Sequence, residues 1–308
     1  MKKQVLALAI AAATSAPAFA VEATTDFYGS LRLKLTDGSD SAMDVTNNFS
    51  RIGIKGSVET DLDNVKALYR YEVGVGKWDA DDESATANEG NIRSRLAWVG
   101  LEGDFGTVKI GQDWTPYAQA LTFTTDIMSS YSPYPFIAAH YRADSQISYY
   151  SPDFGGFSFA AATMTDTDKN TGENVDSFEL TGTVKADMFT VSLGTIQEAS
   201  DTMADVISLG VSMTAGDLYL GVLAEQLDDT DTTDSQTYLS FAAQYNVPTG
   251  AIAAYAYDLD DDAGSTGFAA EYQHSLGDAT TVWVEFANDS TDDADDVQNY
   301  SVGLKVDF

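Results

Sequence analysis

Apolar and polar residues alternate one by one along most of this chain, and no other feature narrows its folding options as much. From Val65 to Val73, Val65, Ala67, Tyr69, Tyr71 and Val73 fall on one face, and Lys66, Arg70 and Glu72 on the other. The stretch from Asn91 to Leu101 reads the same way, with Ile92, Leu96 and Trp98 on one face and Arg93 and Arg95 on the other. A strand sorts residues with this period, whereas a helix would scatter them. About sixteen such segments can be marked, the first near Thr25 and the last near Val297. Each is about ten residues long, the length of a tilted strand crossing a bilayer.

The connectors alternate too. Short turns such as TDLDN (60–64), EGDFG (102–106), SPDFGG (151–156), VPTG (247–250) and SLGDA (275–279) take turns with longer acidic ones. The longer set includes WDADDESATANEG (78–90), TDTDKNTGENVD (165–176), DDTDTTD (228–234) and DSTDDADD (289–296). In an up-and-down sheet every second connector lies at the same end. All tight turns therefore collect at one end and all acidic loops at the other, the asymmetry of an outer-membrane barrel. A soluble sandwich explains the alternation of residues but not that of the loops.

The first twenty residues read differently. Lys2 and Lys3 precede an apolar stretch too short to span a bilayer, and Ala18-Phe19-Ala20 matches an export cleavage site. The expectation is a signal peptide over 1–20 and a single barrel domain over 21–308. No later segment has the apolar length of a membrane helix, so a membrane form must be a closed barrel. The formal net charge of −32 excludes a nucleic-acid binder, while 44% hydrophobic content argues against disorder. Without cysteine, no disulfide or thiol chemistry is available in an oxidising compartment.

Four stretches carry a family resemblance: DFYGSLRL (26–33), SRIGIKGSVETDL (50–62), SRLAWVGLEGDFGTVKIGQ (94–112) and SQISYYSPDFGGFSFAAAT (145–163), together with Phe308. In this order they resemble the trimeric general-diffusion porins of Gram-negative outer membranes, from Asp26 to Phe308. The resemblance implies an all-β, transmembrane antiparallel up-and-down barrel of about sixteen strands, with a long third loop folded into the lumen. Here that loop is about Asp113 to Arg142, the longest connector and the least acidic. The implied function is passive diffusion of small hydrophilic solutes and ions. The alternatives are a substrate-selective channel on the same fold, or a surface adhesin or receptor barrel.

The resemblance also implies a constriction, with Arg51, Arg95 and Arg142 facing the loop carboxylate Asp126. Arg32, Lys34, Arg70 and Arg93 share the lumen-facing parity of their strands and extend the positive wall. Such charges set a transverse field across a pore. Ser30 and Gln112 stand where many relatives carry a lysine and an arginine. Phe308 is the implied signal to the barrel-assembly machinery. The implied partners are two further copies in a homotrimer, outer-membrane lipid, and lipopolysaccharide bridged by divalent cations. No cofactor and no resident metal are expected: DLDDDAG (258–264) has its glycine one place late for a calcium loop and lacks the closing glutamate. No Gly-x-Ser-x-Gly accompanies His140 or His274, the only histidines, so no enzyme is expected.

Overall fold

The computed structural model describes residues 23–39, 41–76, 92–131, 141–165, 175–198, 205–228, 235–260, 264–292 and 295–308. The expected leader lies outside them, as do His140 and most of the acidic loops. The described chain is almost entirely antiparallel strand. The first part of the sheet comprises β1 (Ala23–Gly38), β2 (Ser41–Asn47), β3 (Arg51–Glu59), β4 (Lys66–Val75), β5 (Ile92–Gly103) and β6 (Gly106–Trp114). After the long connector come β7 (Arg142–Tyr150), β8 (Phe157–Thr165), β9 (Val175–Ala186), β10 (Phe189–Glu198) and β11 (Val206–Ala215). The wall is completed by β12 (Leu218–Leu227), β13 (Gln236–Val247), β14 (Gly250–Asp260), β15 (Ser265–Gly277), β16 (Thr280–Ser290) and β17 (Val297–Asp307).

From β3 onward each strand pairs with its neighbours in sequence, both β2 and β3 pair with β1, and β17 pairs back onto β1 from Ser30↔Asp307 to Gly38↔Asn299. The sheet is thus a closed barrel. Its seventeen segments make sixteen staves, because β2 and β3 are two halves of one. The outer half of β1 pairs with β2 and the inner half with β3. The break falls at Asn48–Ser50, where Phe49 has a left-handed φ of 61°.

The two faces are chemically opposite. Along β17, Tyr300, Val302, Leu304 and Val306 point outward and are exposed, as is Phe308 just past its end, while Ser301 and Gly303 are buried against the interior. Leu31, Leu33 and Leu35 continue the apolar surface on β1. A soluble sandwich hides its apolar rows; this chain displays them, which suits a bilayer. Phe308 helps close the seam. Its backbone exchanges hydrogen bonds with Gly29, and its ring occupies the space a side chain at position 29 would need.

In strand β5 the structure corrects the expected facing. A register shift at Glu72/Val73 leaves Arg95 as an extra residue against β4. Leu96 pairs with Glu72 and is fully buried on the inner face, while Ile92, Val99 and Leu101 are exposed. A bulge lets Arg95 and Leu96 share an interior that strict alternation would split between two faces.

Candidate channel constriction

The connector between β6 and β7 turns into the lumen. Thr115 caps a five-residue helix, α1 (Pro116–Ala120), accepting a hydrogen bond from the Ala118 amide at 3.1 Å, with Pro116 opening the first turn. A 3-10 turn, Thr122–Thr124, follows. Tyr117 and Leu121 then insert into an apolar patch on the inner wall formed by Ile196, Val206, Leu223, Tyr238 and Leu259. The wall makes room for them. Gly194, Gly210 and Gly221 lie on the neighbouring strands β10, β11 and β12, and a Cβ on any of them would strike Leu121 or Thr124. Bare backbone is what allows a loop to lie this close.

Carboxylates then pin the loop at both shoulders. Glu179 accepts the Tyr117 amide at 3.0 Å, and Glu225 accepts the Tyr117 hydroxyl at 2.6 Å. Further along, Glu271 accepts the Ser129 amide and Glu285 the Ser130 amide, each at 3.0 Å, and Asp289 accepts the Tyr131 hydroxyl. All four glutamates are buried. Hydrogen bonds to a charged acceptor are worth about 1.5–3 kcal/mol each, so the set is a substantial latch. Sequence reading missed these glutamates. The available signal was their lumen parity in otherwise small or apolar strands, as in FELTG and VLAEQ.

The other side of the lumen is basic. Arg51 on β3 stands opposite Ser30 of β1 and Gly74 of β4. Arg32 and Lys34 stand opposite Lys305 and Gly303. Arg95, only 4% exposed, donates to Glu72 at 2.7 Å. Arg70 reaches the other oxygen of Glu72 at 3.2 Å and also bonds Tyr28, whose hydroxyl donates to the same carboxylate. Arg142 stacks on Trp114, with Cζ 4.8 Å from the ring centroid. Its charge interacts with those of Arg95, Arg51 and Glu72, and Arg32 in turn with Arg51 and Arg95. Arg93 is exposed, across from Gly74.

Among the described residues Arg32, Arg51 and Arg142 form no ion pair. Among the described residues Glu72 is shared by two arginines and a tyrosine, and the charge of Asp307 acts on Arg32 at the edge of the cluster.

Asp126 lies on the described part of the inward loop. Its described partner is the Tyr141 hydroxyl at 3.5 Å, and burial pushes its carboxyl up to about 6. Tyr141 belongs to a cluster of rings with Trp114 and Phe123. His274, on β15, meets the Tyr272 hydroxyl through Nδ1 at 3.0 Å. Among the described residues no group of acids and histidines is arranged to hold a metal ion.

Comparison with known proteins gives one consistent picture. The Gram-negative porin family profile matches residues 7–294. The chitoporin of Vibrio furnissii is 29% identical over 308 residues, covering 84% of this chain and 83% of its own. Outer membrane porin protein 32 of Delftia acidovorans is 29% identical over 255 residues, covering 73% of this chain and 70% of its own. Among solved structures, the anion-selective porin from Comamonas acidovorans superposes with a TM-score of 0.79 at 20% identity, covering 93% of this chain and 100% of that one. Salmonella typhi OmpF in complex with daunomycin gives 0.77 at 17% identity, covering 92% and 97%.

Proposed function

The chain belongs to the Gram-negative porin family, and on that premise we propose that its outer-membrane barrel is a channel for small hydrophilic solutes that prefers anions. The observation that carries this is the division of charge across the lumen. The arginines stand on β1, β3, β4, β5 and β7 with the carboxylates of Glu72 and Asp307 among them, while the lumen glutamates of β9, β12, β15 and β16 are buried and engaged by loop amides and a tyrosine hydroxyl. Asp126, its carboxyl raised to about 6, holds less negative charge at neutral pH than an ordinary aspartate. The field met by a passing ion is therefore set by Arg32, Arg51, Arg70, Arg95 and Arg142.

Transport needs no covalent step: an ion or solute exchanges part of its hydration for the wall's charges and leaves down its gradient. The remaining assignments complete the proposal: a cleaved leader over 1–20, assembly signalled through Phe308, a homotrimer with one pore per copy, and acidic outer loops bridged by divalent cations to lipopolysaccharide.

The test is the zero-current potential of Arg51→Ala, Arg142→Ala and the double variant in a salt gradient. Each is expected to move toward cations, and the double variant further than either. A potential unmoved by all three sinks the assignment. A second reading, a channel preferring oligosaccharides, draws on the chitoporin relative and on the Trp114, Phe123 and Tyr141 rings. Sugar rings stack on such surfaces. Concentration-dependent block of current by neutral chitin fragments would favour it.

A further inference from the structure

A recess of about 190 Å³ lies between the inward loop and the β1–β17 seam. Its lining includes Arg32, Lys305, Asn48, Thr281, Gln273 and Trp283, with Ile127, Met128 and Ser129 of the loop on the near side. Arg32 and Lys305 are direct cross-strand partners. Like charges in that position destabilise a sheet, and a closed barrel could place any polar residue there.

Their surroundings compensate only in part. Lys305 meets Asp307 at 3.2 Å. The Nε of Arg32 is held by the Ser30 hydroxyl at 2.8 Å, and the rest of its guanidinium has no hydrogen-bond partner among the described residues. Asn48 is 2% exposed; its Nδ2 donates to the Ser129 carbonyl at 2.8 Å, and its Oδ1 has no partner. The recess thus offers two cations that share one carboxylate, Asp307, together with the Thr281 hydroxyl and one unmet acceptor. At roughly 30 Å³ per water it has space for about six waters, or for a compact anion with a few of them.

We propose that this recess is a saturable binding site for a compact oxyanion that also carries a hydroxyl, of the hydrogen-phosphate or small hydroxycarboxylate class. The anionic oxygens sit between the Arg32 guanidinium and the Lys305 ammonium, with Thr281 as a further donor. The ligand's O–H answers the Asn48 Oδ1. The charges of Arg51 and Arg95 act on Arg32 and add to the positive potential that draws anions toward it. This rests on the anion-preferring reading above and adds to it a place where a permeating anion pauses.

The test is chloride current through single channels at neutral pH, titrated with inorganic phosphate and, separately, with sulfate, which has no hydroxyl at that pH. Phosphate is expected to reduce the current along a saturating curve, with half-reduction at a lower concentration than for sulfate. In Arg32→Gln/Lys305→Gln the half-reduction concentration should rise by at least about tenfold, as loss of charged hydrogen bonds requires. Current in chloride alone reports whether that variant folds and inserts, and Thr281→Val offers a milder loss in an otherwise unaltered recess. A linear response, a saturating curve retained by both variants, or equal reduction by sulfate would overturn the proposal. The zero-current potential in potassium chloride, read on the same membranes, separates the outcomes. Cation preference would refute the functional reading itself, whereas anion preference with a linear phosphate response would refute this site alone.

Discussion

At Gly221 the inward loop lies directly on the wall, and a single methyl group there tests how the lumen is built. A Cβ at this position falls 3.2 Å from the Thr124 carbonyl carbon and inside the 3.0 Å limit that real Cβ atoms keep from its oxygen. Ordinary contact between such atoms begins near 3.5 Å, so in Gly221→Ala the Thr124 peptide must shift by on the order of 1 Å. Thr124 O also accepts the Tyr219 hydroxyl at 2.8 Å, a bond that a shift of this size breaks or badly stretches. Overpacking costs about 1–3 kcal/mol and the lost hydrogen bond about 1 kcal/mol, so the loop's seat weakens by roughly 2–4 kcal/mol. The glutamates at both shoulders still hold, and the middle of the loop bows toward the arginines. Single-channel recording should show lower conductance and more open-channel noise, with the barrel's resistance to heat in detergent close to that of the parent. Gly182→Ala is the control: that glycine faces outward, with its nearest neighbour 3.8 Å from the added carbon, and conductance should not change. If Gly221→Ala conducts like the parent, the loop does not rest on this strip.

Three more outcomes are expected. Asp126 has its carboxyl raised to about 6 by burial, so its charge is lost as pH falls through that value; anion preference should rise between pH 7 and 5, and Asp126→Asn should show the acid-side preference already at pH 7 with a smaller pH step. Glu72→Ala leaves the buried guanidinium of Arg95 without its carboxylate, at a cost of about 3–5 kcal/mol, seen as a lower unfolding temperature together with stronger anion preference. Replacing both Glu271 and Glu285 with alanine releases the Ser129 and Ser130 amides, and larger, noisier currents should follow from a loop held at one shoulder.

The barrel is legible in the sequence because its causes are local. Each strand must alternate to separate lipid from lumen, and the outward row from Tyr300 to Phe308 can be read residue by residue. The inward course of the third loop is what the family resemblance implies, and the structure lays its described part on the inner wall. What carries no local mark is the matching of distant surfaces. Gly194, Gly210 and Gly221 look like weak points of three separate strands until the loop that covers them is in place. Glu179, Glu225, Glu271 and Glu285 look like ordinary lumen charges, but their partners are loop amides and, for Glu225, the Tyr117 hydroxyl, up to 155 residues away. The inward facing of Leu96 departs from the sequence period because the bulge at Arg95 interrupts it within the strand. Arg51, Arg70 and Arg95 are brought around Glu72; the family pattern points to Arg51 and Arg95 and strand parity to Arg70, and neither points to the carboxylate.

The most direct measurement is the zero-current potential of the purified protein in a planar bilayer, with a salt gradient at neutral pH. The expected result is a potential of the sign that chloride sets, and it should shrink as salt rises and screens the arginine wall. A potential of the potassium sign would contradict an arginine-set constriction and hand selectivity to the acidic surface of the barrel.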